Sequence, residues 1–392
     1  MIAANQDEGK RVEDFPLQNL SRWLVCGEML GYVHVPFCHR VCPYCSFYKH
    51  TPGGISVGGF VEAVLRESTR RVSELPEKPR TLFLGGGTPS MLSPSLLKKL
   101  FVGLDQSMSL DSMDEVSMEA NPATFDEAKA KVFLACGVRR ISLGIQSFSE
   151  KMLTVLGREH DPEQAAESVR LLRRAGMPSI NIDLMFSLPN QTMDDWRETL
   201  QIAISLEPDH LSAYNLTYEE DTAFFDSFQD GKMRQSEELN EAMFYEAHEM
   251  LERAGYRHYE TSNYARPSHE SIHNQGYWAG EDYLGLGPSA VSTVHGERSR
   301  NIADTANYIR MINGIGHAIE DVEVLSDEAR RLEKIAMGLR TQEGIARAWL
   351  DDKGMARMQV LIEEEFAAIK GEYYILTKKG SALVDAIAAE VI

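Results

Sequence analysis

The sequence predicts an α/β fold built from parallel strands and crossover helices. Short apolar runs alternate with amphipathic stretches, in which apolar residues recur at three- and four-residue spacing. Such alternation is typical of a parallel sheet whose consecutive strands are joined by helices. Gly137, Gly176 and Gly255 stand where three of these helices are expected to end.

Each strand and helix has a predicted position in this first part of the chain. The predicted strands are residues 31–35, 81–84, 115–119, 140–143, 180–185 and 210–216, and the predicted helices are residues 60–73, 95–104, 125–136, 163–175 and 192–205. A doubly wound open sheet and a complete or partial (β/α) barrel both fit this alternation. In either arrangement, ligands bind at the carboxyl ends of the strands.

The amino-acid composition and the periodicity of the chain change after residue 301. Residues 322–392 are rich in Glu, Lys, Arg and Ala at helical spacing, and residues 373–377 form a strand-like stretch before a last helix. This pattern predicts a small helical, winged-helix-like domain. We therefore divide the chain into an extension (1–28), an α/β domain with additional strands and loops (29–300) and a C-terminal domain (301–392).

Composition and charge exclude several classes of protein. The 392 residues are 43% hydrophobic and 25% charged, which is typical of a soluble globular protein, and the net charge of −19 argues against a nucleic-acid partner. No apolar run reaches the roughly 18 residues that a membrane-spanning helix needs. The acidic N-terminus, with Asp7, Glu8, Glu13 and Asp14, fits no signal or transit peptide. We expect a cytoplasmic protein.

Three of the five cysteines form a cluster with metal-binding spacing. Cys38, Cys42 and Cys45 follow the pattern C-x3-C-x2-C, which can hold one face of a cubane iron–sulfur cluster and leaves one iron open. A zinc site with a nearby histidine as fourth ligand is the alternative. Cys26 and Cys136 stand apart, and Cys136 is expected to be an ordinary buried thiol.

Polar residues and glycines mark the predicted strand ends. The Gly85-Gly86-Gly87 turn would let a ligand approach the backbone, although such turns are often structural. Glu119 could accept hydrogen bonds from an ammonium or ribose group, or face solvent. Asp183 is a lone acid in an apolar strand and needs a partner. Arg158 suits a carboxylate but could be a surface cation.

A further motif, His273-Asn274-Gln275-Gly276-Tyr277-Trp278, combines an imidazole with flat aromatic rings. This combination suits a porphyrin, because the imidazole can bind iron and the rings can pack on the macrocycle. Ordinary packing of these side chains is the alternative.

Together these motifs resemble those of the radical SAM superfamily. The Tyr-x-His-x-Pro-Phe lead before the cysteines and the H-N-x-x-Y-W motif resemble, more narrowly, the branch of oxygen-independent coproporphyrinogen III oxidases and HemW-type heme chaperones. The resemblance implies a partial (β/α)6 barrel similar to a TIM barrel. It also implies a [4Fe–4S] cluster on Cys38, Cys42 and Cys45, with S-adenosylmethionine on the open iron.

The resemblance also assigns binding residues. For S-adenosylmethionine these are Tyr32, Tyr44, Gly86, Gly87, Thr88, Glu119, Gln146, Arg158 and Asp183, and for heme they are His273, Tyr277 and Trp278.

Two departures separate this chain from the oxidases of that branch. The oxidases carry a further cysteine soon after the third ligand, where this chain has Ser46 and Phe47, and they have a longer N-terminal segment. We therefore expect a heme chaperone that passes heme to acceptor proteins, with monomer–dimer behaviour implied by the family. The alternative is an enzyme that forms a 5′-deoxyadenosyl radical. It would act on a porphyrin, as a coproporphyrinogen III oxidase or a heme-degrading enzyme does, or on another substrate, as methyltransferases or cyclopropanases do.

Overall fold

Six parallel strands form the centre of the sheet in the computed structural model, which describes residues 29–234 and 236–392. In chain order the elements are β1 (Met29–Val35), α1 (Val57–Ser73), β2 (Thr81–Gly86), α2 (Pro94–Met108), β3 (Glu115–Ala120), α3 (Glu127–Ala135), β4 (Arg140–Gln146), α4 (Glu150–Val155), α5 (Pro162–Ala175), β5 (Ser179–Phe186), α6 (Met193–Ser205) and β6 (His210–Asn215). The predicted extension of residues 1–28, with Cys26, lies outside the described residues.

The order of these strands distinguishes the two predicted arrangements. Strands β1 to β6 are parallel neighbours in chain order. A doubly wound sheet reverses its order at a switch point, whereas this order runs in one direction from β1 to β6. The α/β fold with a partial (β/α) barrel is confirmed.

The sheet extends beyond these six strands on both sides. The next elements are α7 (Ala223–Gln229), α8 (Glu237–Arg253), β7 (Arg257–Glu260), β8 (Asn263–Ala265), α9 (Ile272–Ala279), β9 (Asp282–Leu286), β10 (Val291–Val294), β11 (Glu297–Asn301), α10 (Thr305–Ile315) and β12 (Ile319–Val324). The strand order is β12-β11-β10-β9-β1-β2-β3-β4-β5-β6-β8-β7, so the described sheet is open, with β12 and β7 at its edges. Strand β9 is parallel to β1.

Local sequence signals set the helix boundaries. Asp161 accepts a hydrogen bond from the Gln164 amide at 2.8 Å, and the Gln164 side chain accepts one from the Asp161 amide at 3.1 Å, which forms a capping box at the start of α5. Gly137, Gly176 and Gly255 follow the ends of α3, α5 and α8 with φ angles of 91°, 90° and 87°. All three predicted helix ends are confirmed.

The core forms where the apolar strands meet the helices that cover them. Leu82 and Leu84 of β2 and Leu97 and Leu100 of α2 are fully buried. Burial of one such side chain stabilises the fold by about 1.5–3 kcal/mol. None of the described helices is both long and apolar enough to cross a membrane.

A smaller unit with its own core follows β12. Its elements are α11 (Asp327–Gly338), β13 (Ile345–Ala346), α12 (Asp352–Glu363), β14 (Ala367–Lys370), β15 (Tyr373–Leu376), α13 (Lys378–Ser381) and α14 (Val384–Val391). Strands β14 and β15 pair as an antiparallel hairpin, and Ile335, Met358 and Ile387 are buried between the helices. Strand β12 pairs with β11 of the large sheet. The domain division at residue 301 remains a prediction.

Candidate functional site

The three cysteines lie on the loop that follows β1, at the carboxyl end of the sheet. The Cys38 amide donates to the His50 carbonyl at 3.0 Å, and the Cys45 amide donates to the Cys42 carbonyl at 3.3 Å. Phe37 anchors the start of the loop because its side chain is buried. All three cysteines are half-buried and line one cavity of about 600 Å³.

Two donors point at the cysteine sulfur atoms. The Thr88 hydroxyl donates to Cys38 Sγ at 3.5 Å, and Nη1 of Arg158 donates to Cys42 Sγ at 3.7 Å. Hydrogen bonds of this kind stabilise thiolates. The donor set therefore fits a thiolate-bound iron–sulfur cluster.

Among the described residues, no three His, Cys, Asp or Glu side chains lie close enough together to hold a single metal ion. A cubane cluster does not need that arrangement, because each thiolate binds a different iron.

The glycine turn after β2 packs against the cysteine loop. Gly86 has a φ of 106°, and a Cβ atom there would lie 2.4 Å from the His34 ring. A Cβ atom on Gly87 would lie 2.8 Å from the carbonyl oxygens of Val35 and Phe37. Glycine is thus required at both positions by the chain's own backbone and by His34, independently of any ligand.

Two half-buried carboxylates line the cavity inside the barrel. Glu119 accepts a hydrogen bond from the Gly86 amide at 3.1 Å. Burial raises its pKa to about 8, Asp183 adds to the increase, and the Gly86 amide opposes it. Asp183 accepts from Ser142 at 2.8 Å and from Asn181 at 2.7 Å, yet burial still raises its pKa. Both acids can accept hydrogen bonds from a cationic or hydroxyl-bearing ligand.

Arg158 links the end of β4 to the cysteine loop. Its guanidinium donates to the Asn121 side chain at 2.7 Å and to the Gly144 carbonyl. Asn121 in turn donates to the Thr88 hydroxyl at 3.1 Å. Gln146 lies nearby with a φ of 72°, beside a register shift between Gly144 and Gln146.

Two tyrosines complete the cavity wall. The Tyr32 hydroxyl hydrogen-bonds to Nδ1 of His34 at 3.0 Å, and its ring stacks on Phe83 with 6.4 Å between centroids. Tyr44 interacts with Arg158, and burial raises its pKa. Both rings line the cavity that the cysteines line.

Helix α9 presents the H-N-x-x-Y-W motif from the side of the sheet where the strands begin. The carboxylate of Glu115 accepts from the Ile272 amide at 2.8 Å and so fixes the start of α9. His273 is only 1% exposed, and its Nδ1 hydrogen-bonds to the Thr81 hydroxyl at 2.8 Å. Its ring stacks on Phe83 at 5.2 Å. Burial lowers the His273 pKa to about 3, so the imidazole is neutral.

The motif is shared between two cavities. His273 lines the cavity of the cysteines, and its Nε2 has no hydrogen-bond partner among the described residues. Trp278 lines a second cavity of about 710 Å³ instead. Asn274 and Tyr277 line both cavities.

The structure thus brings together most of the predicted site residues. The first cavity is lined by Tyr32, Cys38, Cys42, Tyr44, Cys45, Gly86, Gly87, Thr88, Glu119, Gln146, Arg158, Asp183, His273 and Tyr277. Trp278 is the predicted residue that this cavity does not include. Asn121 also lines this cavity and is not among the residues predicted from the sequence, although it directly follows a strand, as other polar residues of the cavity do.

Comparison with known proteins identifies the family. The model of the Radical SAM superfamily matches residues 32–203. The heme chaperone HemW of Lactococcus lactis is 33% identical over 340 residues, which cover 86% of this chain and 88% of the relative. The chain belongs to the HemW family of radical SAM proteins. A second member, the heme chaperone HemW of Escherichia coli, is 38% identical over 265 residues, or 67% of this chain and 69% of the relative.

A solved structure shares the fold of this HemW-family chain. Coproporphyrinogen III oxidase (HemN) from Escherichia coli, described as a radical SAM enzyme, matches with a TM-score of 0.80 at 23% identity. The match covers 97% of this chain and 94% of the other. The predicted family and the predicted fold are both confirmed.

Proposed function

We propose that this protein binds heme and transfers it to acceptor proteins, with a [4Fe–4S] cluster and S-adenosylmethionine as cofactors. The observation that carries the proposal is the position of α9, whose H-N-x-x-Y-W motif lines both the cysteine cavity and the neighbouring cavity. The HemW relatives are named as heme chaperones, which supports the same proposal. The protein would act in the cytoplasm, and a homodimer remains a prediction.

The cysteine cavity would hold the cluster and S-adenosylmethionine. Cys38, Cys42 and Cys45 would each bind one iron, and the remaining iron would bind the amino and carboxylate groups of the cofactor. The residues proposed to surround S-adenosylmethionine are Tyr32, Tyr44, Gly86, Gly87, Thr88, Glu119, Gln146, Arg158 and Asp183. Because the Arg158 guanidinium already contacts Cys42 and Asn121, we assign it mainly to positioning the cysteine loop.

The heme site would include His273, Tyr277 and Trp278. A neutral imidazole is the form that binds iron, and Nε2 of His273 has no partner among the described residues. Tyr277 packs edge-on against the His273 ring at 4.9 Å. If His273 is the iron ligand, a His273→Ala variant should lose the imidazole signature in the heme absorbance spectrum. An unchanged spectrum would contradict that assignment.

A radical SAM enzyme is the second candidate. The cysteine cavity reaches from Cys38 to His273 inside the barrel, and its volume of about 600 Å³ favours a substrate beside the cofactor. In that case S-adenosylmethionine would supply the radical chemistry, while the protein would position the substrate and exclude water.

One experiment separates the two candidates. The protein is purified without oxygen, its cluster is reconstituted, and it is incubated with heme, S-adenosylmethionine and a one-electron reductant. Heme is followed by absorbance and 5′-deoxyadenosine by chromatography. The chaperone proposal predicts bound, chemically unaltered heme that moves to an added heme-free acceptor protein. Many turnovers of 5′-deoxyadenosine with an altered porphyrin would support the enzyme instead.

A further inference from the structure

The second cavity lies between the barrel and the C-terminal unit. Tyr277 and Trp278 of α9 and Tyr283 of β9 form an aromatic wall, and Met337 of α11 lines the cavity as well. Its volume of about 710 Å³ is within the range of small-molecule sites, about 300–1,000 Å³. The indole Nε1 of Trp278 is buried and has no hydrogen-bond partner among the described residues. The rings of Tyr277 and Tyr283 meet edge-on at 67°, so the cavity offers an angled aromatic surface to a ligand.

Most of the acids that line the cavity already have partners. The pairs are Glu333 with Arg298 (2.7 Å), Glu281 with Arg80 (2.9 Å), Asp385 with Arg340, and Asp282 with the His295 amide (2.7 Å). The remaining acid, Glu260, is buried, and burial raises its pKa to about 7. Three of these acids are therefore neutralised by arginines, whereas a backbone amide leaves the negative charge of Asp282 in place.

Two cations in the same wall lack such partners. Arg330 and Lys334 lie one helical turn apart on α11, and neither side chain makes an ion pair or hydrogen bond among the described residues. Like charges at this spacing repel. Burial and Arg330 lower the pKa of Lys334, and Asp282 opposes the change. A helix that holds two unpaired, half-buried cations toward a cavity is suited to a ligand with two anionic groups.

We propose that this cavity binds heme by its carboxylate edge, with the macrocycle on Tyr277 and Trp278 and the two propionates on Arg330 and Lys334. The inference rests on the proposed function, because it places the propionate edge of that heme in the second cavity. Tyr277 lines both cavities and packs against His273 of the first, so it connects the two parts of the proposed site. Heme carries both propionates on one edge, which matches two cations separated by one turn, or about 5.4 Å, of helix. Charge-assisted hydrogen bonds to the propionates would replace the missing ion pairs.

The test compares heme with heme dimethyl ester, in which both propionates are neutral, by absorbance titration of the full-length protein. The wild type should bind the ester at least tenfold more weakly than heme. The Arg330→Gln/Lys334→Gln double variant should bind heme at least tenfold more weakly than the wild type and should no longer distinguish the two ligands. The Arg310→Gln/Lys353→Gln control removes the same charge from exposed positions and should bind both ligands as the wild type does.

Three outcomes are informative. A wild type that binds heme and its ester equally overturns this inference without relying on any variant. A double variant that keeps both the affinity and the discrimination of the wild type also overturns it, and in both cases the proposed function survives. A wild type that binds neither ligand contradicts the proposed function itself.

Discussion

Nη1 of Arg158 lies 3.7 Å from the sulfur atom of Cys42. The same guanidinium donates to Asn121, which donates to Thr88, and Thr88 donates to Cys38. One chain of hydrogen bonds therefore joins the ends of β2, β3 and β4 to two of the three cysteines. A cation held this close favours negative charge on the sulfur.

Arg158 should raise the reduction potential of a cluster bound at this site. Reduction adds an electron, and a neighbouring cation and donor stabilise the added charge. We expect Arg158→Gln to lower the potential by roughly 30–60 mV, where 59 mV corresponds to a tenfold change for one electron. The reduction potential is measured in a redox titration that is monitored by electron paramagnetic resonance. Arg310→Gln, at an exposed position, is the control. Equal potentials in Arg158→Gln and the wild type would refute the prediction.

The three loop cysteines should each be necessary for the cluster. We expect Cys38→Ala, Cys42→Ala and Cys45→Ala to abolish the visible absorbance of the reconstituted protein, because each removes one iron ligand. Cys136→Ala is the matched control, since Cys136 lies at the end of α3, away from the loop. Cys26→Ala should also leave the cluster intact, and loss of absorbance in that variant would mean that no iron is left open.

Glu119 should make the stability of the cluster-free protein depend on pH. Its native pKa is about 8, against an ordinary value of 4.5. The native state therefore binds more protons between these values, and its stability falls as pH rises, by at most about 1.4 kcal/mol per pH unit. Glu119→Gln removes this titration, so its unfolding free energy should fall less steeply from about pH 5 to about pH 8.

Chemical denaturation at several pH values tests this prediction. Glu297→Gln replaces an exposed carboxylate and should keep the wild-type slope. If Glu119→Gln shows the same slope as the wild type, Glu119 ionises normally in the native state and the prediction is wrong.

Glu67 should stabilise the junction between α1 and the strands that follow α9. Its carboxylate accepts from the Tyr308 hydroxyl at 2.6 Å, the Asn301 side chain at 2.7 Å and the Gly287 amide at 2.9 Å. Glu67→Ala leaves these buried donors without an acceptor and should lower the free energy of unfolding by about 3 kcal/mol. Denaturant unfolding measures it, and Glu62→Ala on the exposed face of α1 should have a much smaller effect. Similar losses in both variants would contradict the prediction.

The residues at the carboxyl ends of the central strands could be located from the sequence. Glu119 and Asp183 stand in or at the ends of apolar strands, and the ends of parallel strands converge on one side of a sheet. The division of the H-N-x-x-Y-W motif between two cavities was not predicted. Helical geometry explains part of this division. Tyr277 lies one turn from His273 on the same face of the helix, whereas Trp278 is rotated about a further 100° around the helix axis.

Other features depend on contacts that a sequence does not show. Gly285 and Gly287 are residues typical of a turn, but residues 282–286 form β9, and the turn starts at Gly287 with a φ of 97°. The reason is packing: a Cβ atom at Gly285 would lie 2.1 Å from the Val291 carbonyl, so glycine here serves a close strand contact. The other added strands, β7, β8 and β10 to β12, are only three to six residues long, which is too short for a clear periodic signal.

Anaerobic titration of the cluster-reconstituted protein with heme is the decisive test of the proposed chaperone function. A heme chaperone should show saturable binding, with a shifted heme absorbance band and transfer of the bound heme to an added heme-free acceptor protein. Absence of saturable binding, or heme that stays on the protein when an acceptor is present, would contradict the proposed chaperone function.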